Sequence, residues 1–201
     1  MTEYYYSQNP TADHQEYHFD FELLQQTFHF TTDNGVFCKH TIDFGSRTLI
    51  EATVKTDFPS GSLLDVGCGY GPIGLALAHH FPNRQVTMTD VNERALKLAQ
   101  KNAADNQIKN VSIFASDGFK QISGDFAGIY TNPPIRAGKA VVSQILTDAK
   151  DHLVPGGKLL AVLQKKQGAP SAKKLMTAVY GNCEVLSKDG GYYILQSVKN
   201  D

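Results

Sequence analysis

The chain has 201 residues, of which 41% are hydrophobic and 19% are charged, and its formal net charge is −1. This length and composition favour a folded α/β domain with a core of its own, and they exclude a disordered or collagen-like chain. The near-zero charge excludes a protein that attracts nucleic acid through its overall field, so any RNA contact needs a local basic patch.

The sequence predicts neither export nor a bound metal. Residues 1–6 contain neither a basic nor an apolar segment, and no apolar run reaches the roughly 18 residues of a membrane span. The three cysteines (Cys38, Cys68 and Cys183) are widely separated, and the seven histidines show no ligand spacing. We expect a cytoplasmic protein without membrane contact, disulfide framework or metal site.

Residues 1–55 are predicted to form an N-terminal extension with a β-hairpin and a helix. Asn9-Pro10 indicates a turn, and the alternating residues 26–31 predict a strand. Asp33-Asn34-Gly35 is typical of a tight turn, which would bring residues 36–39 back as the partner strand. Ser46 is expected to cap a helix that continues through residues 48–52.

Residues 56–201 are predicted to form one compact domain in which strands and helices alternate. Strands are expected at residues 63–66, 85–90, 111–115, 126–131 and 158–163, and helices at 73–80, 93–104, 139–153 and 171–180. Two last strands, near 183–187 and 192–198, flank Gly190-Gly191 as an antiparallel hairpin. The pattern predicts a doubly wound, mostly parallel seven-stranded sheet, whose ligands bind beyond the carboxyl ends of the strands.

A glycine-rich turn follows the first of these strands, in the order Asp65-Val66-Gly67-Cys68-Gly69-Tyr70-Gly71. Alternate glycines permit a sharp turn and a close approach of a ligand to the backbone. The carboxylate of Asp65 favours a cationic group there, such as an ammonium or a sulfonium. Residues 69–74 also match the dinucleotide fingerprint, so an oxidoreductase is an alternative, as is a simple βα turn.

Acidic residues follow the next two strands. Asp90, followed by Val91, could accept hydrogen bonds from both hydroxyls of a ribose, in adenosine or in NAD alike. Asp117, followed by Gly118, could accept a hydrogen bond from an adenine amino group, although an Asx turn explains it equally well.

Asn132-Pro133-Pro134 follows the fourth strand. The side-chain oxygen of Asn132 and the carbonyl oxygen of Pro133 could both accept hydrogens from one amino group. Holding an exocyclic amine in this way would orient its conjugated lone pair toward an electrophile and stabilise the charge that grows on nitrogen. No general base is expected, because the amine can lose its proton after transfer. A plain Asn-Pro turn is the structural alternative.

Together these motifs resemble class I S-adenosylmethionine-dependent methyltransferases. The whole chain is similar to the small-domain family related to ribosomal RNA small-subunit methyltransferase C, a guanine N2 enzyme. The resemblance extends to residues 5–10, 35–37, 42–46 and 49–50. It implies a Rossmann-like fold, S-adenosylmethionine as cofactor, and methyl transfer to an exocyclic amine, most of all guanine N2 of ribosomal RNA.

The resemblance also implies roles for individual residues. The methionine part of the cofactor would be surrounded by Asp65, Gly67, Gly69 and Gly71. The ribose would lie at Asp90 and Val91, the adenine at Asp117 and Gly118, and the target amine at Asn132, Pro133 and Pro134. The mouth of the cofactor or substrate site would be lined by Phe37 and Lys39.

The implied partner is ribosomal RNA or a ribosomal subunit. Ile135 stands where such enzymes often have an aromatic residue that stacks the target base, and it can pack but not stack. Arg136, Lys139 and Lys165-Lys166 could form a phosphate-binding rim, although surface lysines are mostly solvated. The ribosomal enzyme carries a second, degenerate domain, which a homodimer of this chain could replace. Protein or small-molecule amines, and a binding protein without transfer activity, remain alternatives.

Overall fold

The computed structural model describes residues 12–200, so the Asn9-Pro10 turn and the similarity at residues 5–10 lie outside the described residues. The described strands are β1 (Tyr17–Leu23), β2 (Gln26–Thr32), β3 (Leu63–Val66), β4 (Val86–Asp90), β5 (Val111–Ala115), β6 (Phe126–Thr131), β7 (Leu153–Gln164), β8 (Glu184–Asp189) and β9 (Tyr192–Val198). The described helices are α1 (Phe44–Thr53), α2 (Pro72–His80), α3 (Glu93–Asp105), α4 (Lys139–Asp148) and α5 (Ala169–Tyr180). None of these helices is long and apolar enough to cross a membrane.

Seven strands form one sheet in the order β5-β4-β3-β6-β7-β9-β8. The pairs from β5 to β7 are parallel, and β9 pairs antiparallel with both β7 and β8. The order reverses between β3 and β6, where Val66 pairs with Thr131 and the Thr131 hydroxyl donates to the Val66 carbonyl at 3.0 Å. The doubly wound, mostly parallel sheet with an antiparallel C-terminal hairpin, predicted from the sequence, is confirmed.

Apolar side chains cover both faces of this sheet. On one face α1, α2, α3 and the β1–β2 hairpin share a single core, in which Leu49, Ile50 and Leu75 are completely buried. On the other face α4 and α5 pack through residues such as Leu146 and Met176. Alternate residues of β3 enter the two cores, as the period of two along a strand requires. The N-terminal hairpin and α1 therefore complete one face of the sheet.

The N-terminal hairpin is present, but the prediction of its second strand was wrong. Residues 26–31 do form a strand, yet its partner is the preceding β1 and not residues 36–39, which form turns. The tight turn is Leu24-Gln25, with φ of 51° and 65°. Such angles normally favour glycine or asparagine, so the turn carries no sequence signal. The Asn34-Gly35 turn instead leads toward α1.

Two further boundaries differ from the prediction. Asp43, not Ser46, caps α1, because its carboxylate accepts a hydrogen bond from the Ser46 backbone N–H. The helix predicted over 139–153 ends at Asp148 and passes through a 3₁₀ turn at Ala149–His152 into β7. Pro155-Gly156-Gly157, which indicated a break before the strand, is an irregularity inside β7, where its pairing with β6 shifts register.

Candidate active site

A cavity of about 1060 Å³ lies at the carboxyl ends of the parallel strands, where the strand order reverses. Its wall contains the glycine-rich loop after β3, the loop after β4 and the Asn132-Pro133-Pro134 segment after β6. This volume lies just above the range of ordinary ligand pockets, about 300–1,000 Å³. The cavity therefore has room for a substrate group beside a nucleoside-sized cofactor.

The glycine-rich loop presents bare backbone to the cavity. Gly67 and Gly69 line the wall with φ of 76° and 56°, and a Cβ built on either would meet no atom within 4 Å. A ligand can therefore approach this backbone to a distance that side chains would prevent. Gly71 differs, because it precedes α2 outside the wall and a Cβ there would press on Met88 and Leu75.

Asp65 lies behind this loop and is not part of the cavity wall. Its carboxyl is completely buried, and its Oδ2 accepts a hydrogen bond from the Gly74 backbone N–H at 2.8 Å. Its Oδ1 is buried without a hydrogen-bond partner. Burial, reinforced by the nearby charge of Asp90, raises the pKa of Asp65 to about 7. Asp65 is therefore not placed to contact a ligand in the cavity directly, as the sequence suggested. Its hydrogen bond instead links the end of β3 to α2.

Asp90 ends β4 and does reach the cavity. Its Oδ2 accepts from the Gly69 backbone N–H at 2.8 Å, and its Oδ1 accepts from the Asn92 N–H at 2.9 Å. Burial raises the pKa of Asp90, while these backbone hydrogen bonds act in the opposite direction. The carboxylate has about four lone-pair sites, and the backbone N–H groups of Gly69, Val91 and Asn92 do not use them all, so Asp90 can still accept a hydroxyl group in a fixed orientation.

The predicted adenine-binding residues, Asp117 and Gly118, line the same cavity next to Val91. The Asp117 side chain is largely exposed, and its Oδ2 accepts from Lys120 Nζ at 2.5 Å. Phe119 follows them in the wall, and its ring stacks on His152 with a centroid separation of 4.9 Å. This part of the cavity combines an exposed acceptor with a flat apolar surface.

Asn132 is held in one orientation at the opposite side of the cavity. Its Nδ2 donates to Asp43 Oδ1 at 3.1 Å and to the Ser46 hydroxyl at 3.0 Å. With both amide hydrogens engaged, the side-chain oxygen is the polar atom that remains for a ligand. The 3₁₀ turn that follows is closed by the Ala137 N–H on the Pro134 carbonyl and leaves the Pro133 carbonyl out of this turn.

The structure separates the remaining predicted residues into two groups. Phe37, Ile135 and Arg136 line the cavity. Lys39 does not, because its ammonium lies over the Tyr17 ring and donates to Asn34 Oδ1. Lys139 begins α4 outside the wall. Lys165 and Lys166 are exposed in the 3₁₀ turn directly after β7.

Several polar and aromatic residues of the wall received no role from the sequence, among them Asp43, Ser46, Gln164, Gln167 and Tyr192. The rule that ligands bind after parallel strands could have indicated Gln164 and Gln167, which end β7 and its following turn. Ser46 was expected only as a helix cap, Asp43 appeared only within residues 42–46 of the family resemblance, and no sequence pattern indicated their contact with Asn132. Tyr192 carries no sequence signal, since it enters the wall only because β9 pairs with the end of β7.

The part of the chain from residue 12 to residue 200 contains no group of three or more His, Cys, Asp or Glu side chains placed to hold a metal ion. The polar side chains of the wall include carboxylates, amides and hydroxyls, together with His152 and the cations Lys120 and Arg136.

Comparison with known proteins gives one consistent result. Residues 27–196 match the methyltransferase small domain family. The chain is 47% identical to the uncharacterized protein YbxB of Bacillus subtilis over 99% of its own length and the whole of that protein. It is 34% identical to ribosomal RNA small subunit methyltransferase C of Haemophilus influenzae, covering 91% of this chain and 57% of that protein.

A solved structure shows the same relation. The 16S rRNA N2 G1207 methyltransferase of T. thermophilus, in complex with AdoMet and guanosine, superimposes with a TM-score of 0.80 at 25% identity. The match covers 92% of this chain and 51% of that one. The chain thus spans about half the length of these ribosomal RNA methyltransferases, and the Rossmann-like fold expected from the sequence is confirmed.

Proposed function

This chain belongs to the methyltransferase small domain family, and from that premise we propose that it methylates the exocyclic N2 amine of a guanine in ribosomal RNA. It is an S-adenosylmethionine-dependent methyltransferase, in agreement with its relatives and with the T. thermophilus structural neighbour. The observation that supports the substrate proposal best is the arrangement of the Asn132-Pro133-Pro134 segment. This segment follows β6 and the glycine-rich loop follows β3, so the two lie on either side of the point where the strand order reverses, in the same cavity.

The residues around the glycine loop fit the cofactor. Gly67 and Gly69 leave a space that any Cβ would fill, and Asp90 offers two oriented acceptors to ribose hydroxyls. Val91, Asp117 and the wall next to them supply an apolar surface and an acceptor for a purine. S-adenosylmethionine held by these residues would supply a methyl group activated by the sulfonium. A nitrogen that takes this methyl group would leave S-adenosylhomocysteine as the product.

The Asn132 side of the cavity suits an amino group. The amide oxygen of Asn132 and the carbonyl of Pro133 are acceptors, and an exocyclic –NH₂ has two hydrogens to donate. Two fixed acceptors draw the lone pair out of conjugation with the ring and stabilise the developing positive charge on nitrogen. The proton that the nitrogen loses passes to solvent. Pro133 and Pro134 keep the segment rigid, which limits the reorganisation needed during transfer.

A guanine in ribosomal RNA is the amine that the relatives favour. The H. influenzae relative is named for the small ribosomal subunit, and the T. thermophilus neighbour holds guanosine together with AdoMet. Aromatic and apolar groups at the mouth, Phe37, Ile135 and Tyr192, can cover a flat base. Arg136 in the wall, with Lys165 and Lys166 close to Gln164 and Gln167, can contact phosphates of the same strand.

The test is tritium transfer from methyl-labelled S-adenosylmethionine to ribosomal RNA and to assembled subunits from a strain that lacks the gene. We expect label in RNA or subunits, recovered as N2-methylguanosine after digestion. Label in another nucleoside would overturn the guanine N2 assignment and retain an RNA methyltransferase. Absence of RNA label, with S-adenosylhomocysteine still binding, would exclude RNA and leave a protein or small-molecule amine as the substrate.

A further inference from the structure

Asp43 and Ser46 contact Asn132 from a distant part of the chain. Asp43 lies 89 residues before Asn132, at the start of α1, and Ser46 lies in the first turn of that helix. The two hydrogen bonds, of 3.1 and 3.0 Å, take the amide nitrogen of Asn132. All three side chains reach the cavity wall. The segment after β6 is therefore coupled to α1 through one side-chain amide.

From this geometry we propose that Asp43 and Ser46 are positioning residues, which fix the Asn132 amide with its oxygen turned toward the substrate amine. The inference rests on the proposed function, and it adds residues that touch neither of the reacting atoms. An asparagine amide can rotate by half a turn and present either its oxygen or its nitrogen. Only the orientation with the oxygen facing the substrate can accept a hydrogen from an amine.

The chemistry of Asp43 selects that orientation. An ionised carboxylate can only accept hydrogen bonds, so the reversed amide would place two acceptor oxygens against each other. Ser46 adds a second acceptor at the same nitrogen, and its side chain is buried, with only 3% of the residue exposed. Hydrogen bonds to a charged group are about twice as strong as neutral ones. The reversed orientation is therefore disfavoured before any substrate binds.

Helix α1 holds Asp43 rigidly. The same Oδ1 that accepts from Asn132 also accepts from the Ser46 backbone N–H at 3.1 Å, which is the cap of the helix. The helix itself is anchored by Leu49 and Ile50, both completely buried. The position of the carboxylate is thus set by core packing and not by the ligand, as preorganisation of an active site requires.

The primary variant is Asp43→Ser. Serine retains the capping function of residue 43, because it is among the preferred N-cap residues, but it is too short to hold the Asn132 amide. We expect kcat for methyl transfer to ribosomal RNA or subunits to fall by about 10²-fold, the scale of a small misplacement of a catalytic group. The dissociation constant for S-adenosylhomocysteine should change by less than about twofold, since no cofactor-binding group is altered. Ser46→Ala should reduce kcat less, by about tenfold, because it removes one neutral acceptor.

A double-variant cycle separates positioning from general damage. If Asp43 acts only through Asn132, Asp43→Ser should cause no further loss of kcat when it is added to Asn132→Ala. Thr48→Val is the matched control, since it removes another buried hydroxyl of α1 that donates to the Phe44 carbonyl. It should leave kcat unchanged. Equal losses from Asp43→Ser in both backgrounds, or unchanged kcat in the single variant, would overturn the proposal.

A second readout does not depend on any methylation. The Nδ2 protons of Asn132 should give downfield-shifted amide signals in ¹⁵N-labelled protein, and Asp43→Ser should shift the signal of the proton bonded to Asp43 toward solvent-exposed values. If wild-type protein labels no RNA, the proposed substrate fails, and these signals still test the orientation of the amide. Signals that stay the same in wild type and Asp43→Ser would show that Asp43 does not hold Asn132.

Discussion

Asp90 connects the loop after β3 to the loop after β4, because its two oxygens take the backbone N–H groups of Gly69 and Asn92. One side chain therefore shapes two parts of the cavity wall, and in the proposed function it also accepts ribose hydroxyls. This double role predicts that its loss affects cofactor binding more than the transfer step.

We expect Asp90→Ala to weaken S-adenosylhomocysteine binding by about 10- to 100-fold, the value of one charge-assisted hydrogen bond at about 1.5–3 kcal/mol. Isothermal titration calorimetry measures this directly. Asp125→Ala is the control for charge, because Asp125 is exposed just before β6 and lies outside the cavity wall. An unchanged affinity in Asp90→Ala would exclude the ribose role.

At the level of single residues, the sequence predicts those wall positions that follow a strand directly. Asp90, Asp117 and Asn132 each come after a strand end, and the switch-point rule brings them to one edge of the sheet. The role of Asp43 could not be predicted in this way. Its contact with Asn132 depends on how α1 packs against the sheet, which no local pattern encodes.

Among the helices and strands, α2 and β4 come unusually close. Gly74 faces Met88, and a Cβ on Gly74 would lie 2.6 Å from Met88 Cγ and 2.7 Å from its Sδ. This packing keeps the start of α2 against the sheet, where the Gly74 N–H also meets the buried carboxyl of Asp65. The third glycine of the apparent dinucleotide fingerprint thus serves helix–strand packing.

Gly74→Ala should lower the free energy of unfolding by about 1–3 kcal/mol, although alanine is the better helix former, because overpacking in a full core costs that much. Urea denaturation at equilibrium measures the change. In a Met88→Ala background the added methyl group has room, so the same substitution should cost less there. Equal costs in both backgrounds would mean that Met88 is not the obstacle.

The strands and turns of this fold differ in how clearly the sequence marks them, and their burial and turn residues explain the difference. β3 and β6 are buried along their whole length, so a short apolar run between turn residues marks them clearly. β1 alternates apolar and polar residues, which is the pattern of a half-buried strand, and only its turn to β2, which has neither glycine nor asparagine, carries no sequence signal. The Pro155-Gly156-Gly157 run suggested a loop because those residues break most strands, yet here they form an irregularity within β7.

At the scale of the whole molecule, the proposed RNA substrate would have to bind a chain whose net charge is −1. Its lysines and arginines number 19 against 20 acidic residues, so attraction must come from their placement. Lys165 and Lys166 lie at the carboxyl edge of the sheet beside Gln164 and Gln167 of the cavity wall. Phosphates next to a bound guanine would pass this edge.

The double variant Lys165→Gln/Lys166→Gln should therefore raise KM for ribosomal RNA and reduce its dependence on salt. Each lost phosphate contact lowers the slope of log affinity against log salt by about 0.7–0.9. Steady-state transfer measured at several salt concentrations gives that slope.

Lys109→Gln is the matched control, because Lys109 is exposed just before β5, at the opposite edge of the parallel strands. If Lys109→Gln changed the slope as much as each of the other two lysines does, the RNA would be attracted by the overall charge and not by Lys165 and Lys166 in particular. A slope that changes only with Lys165 and Lys166 would fix the direction in which the RNA strand enters the cavity.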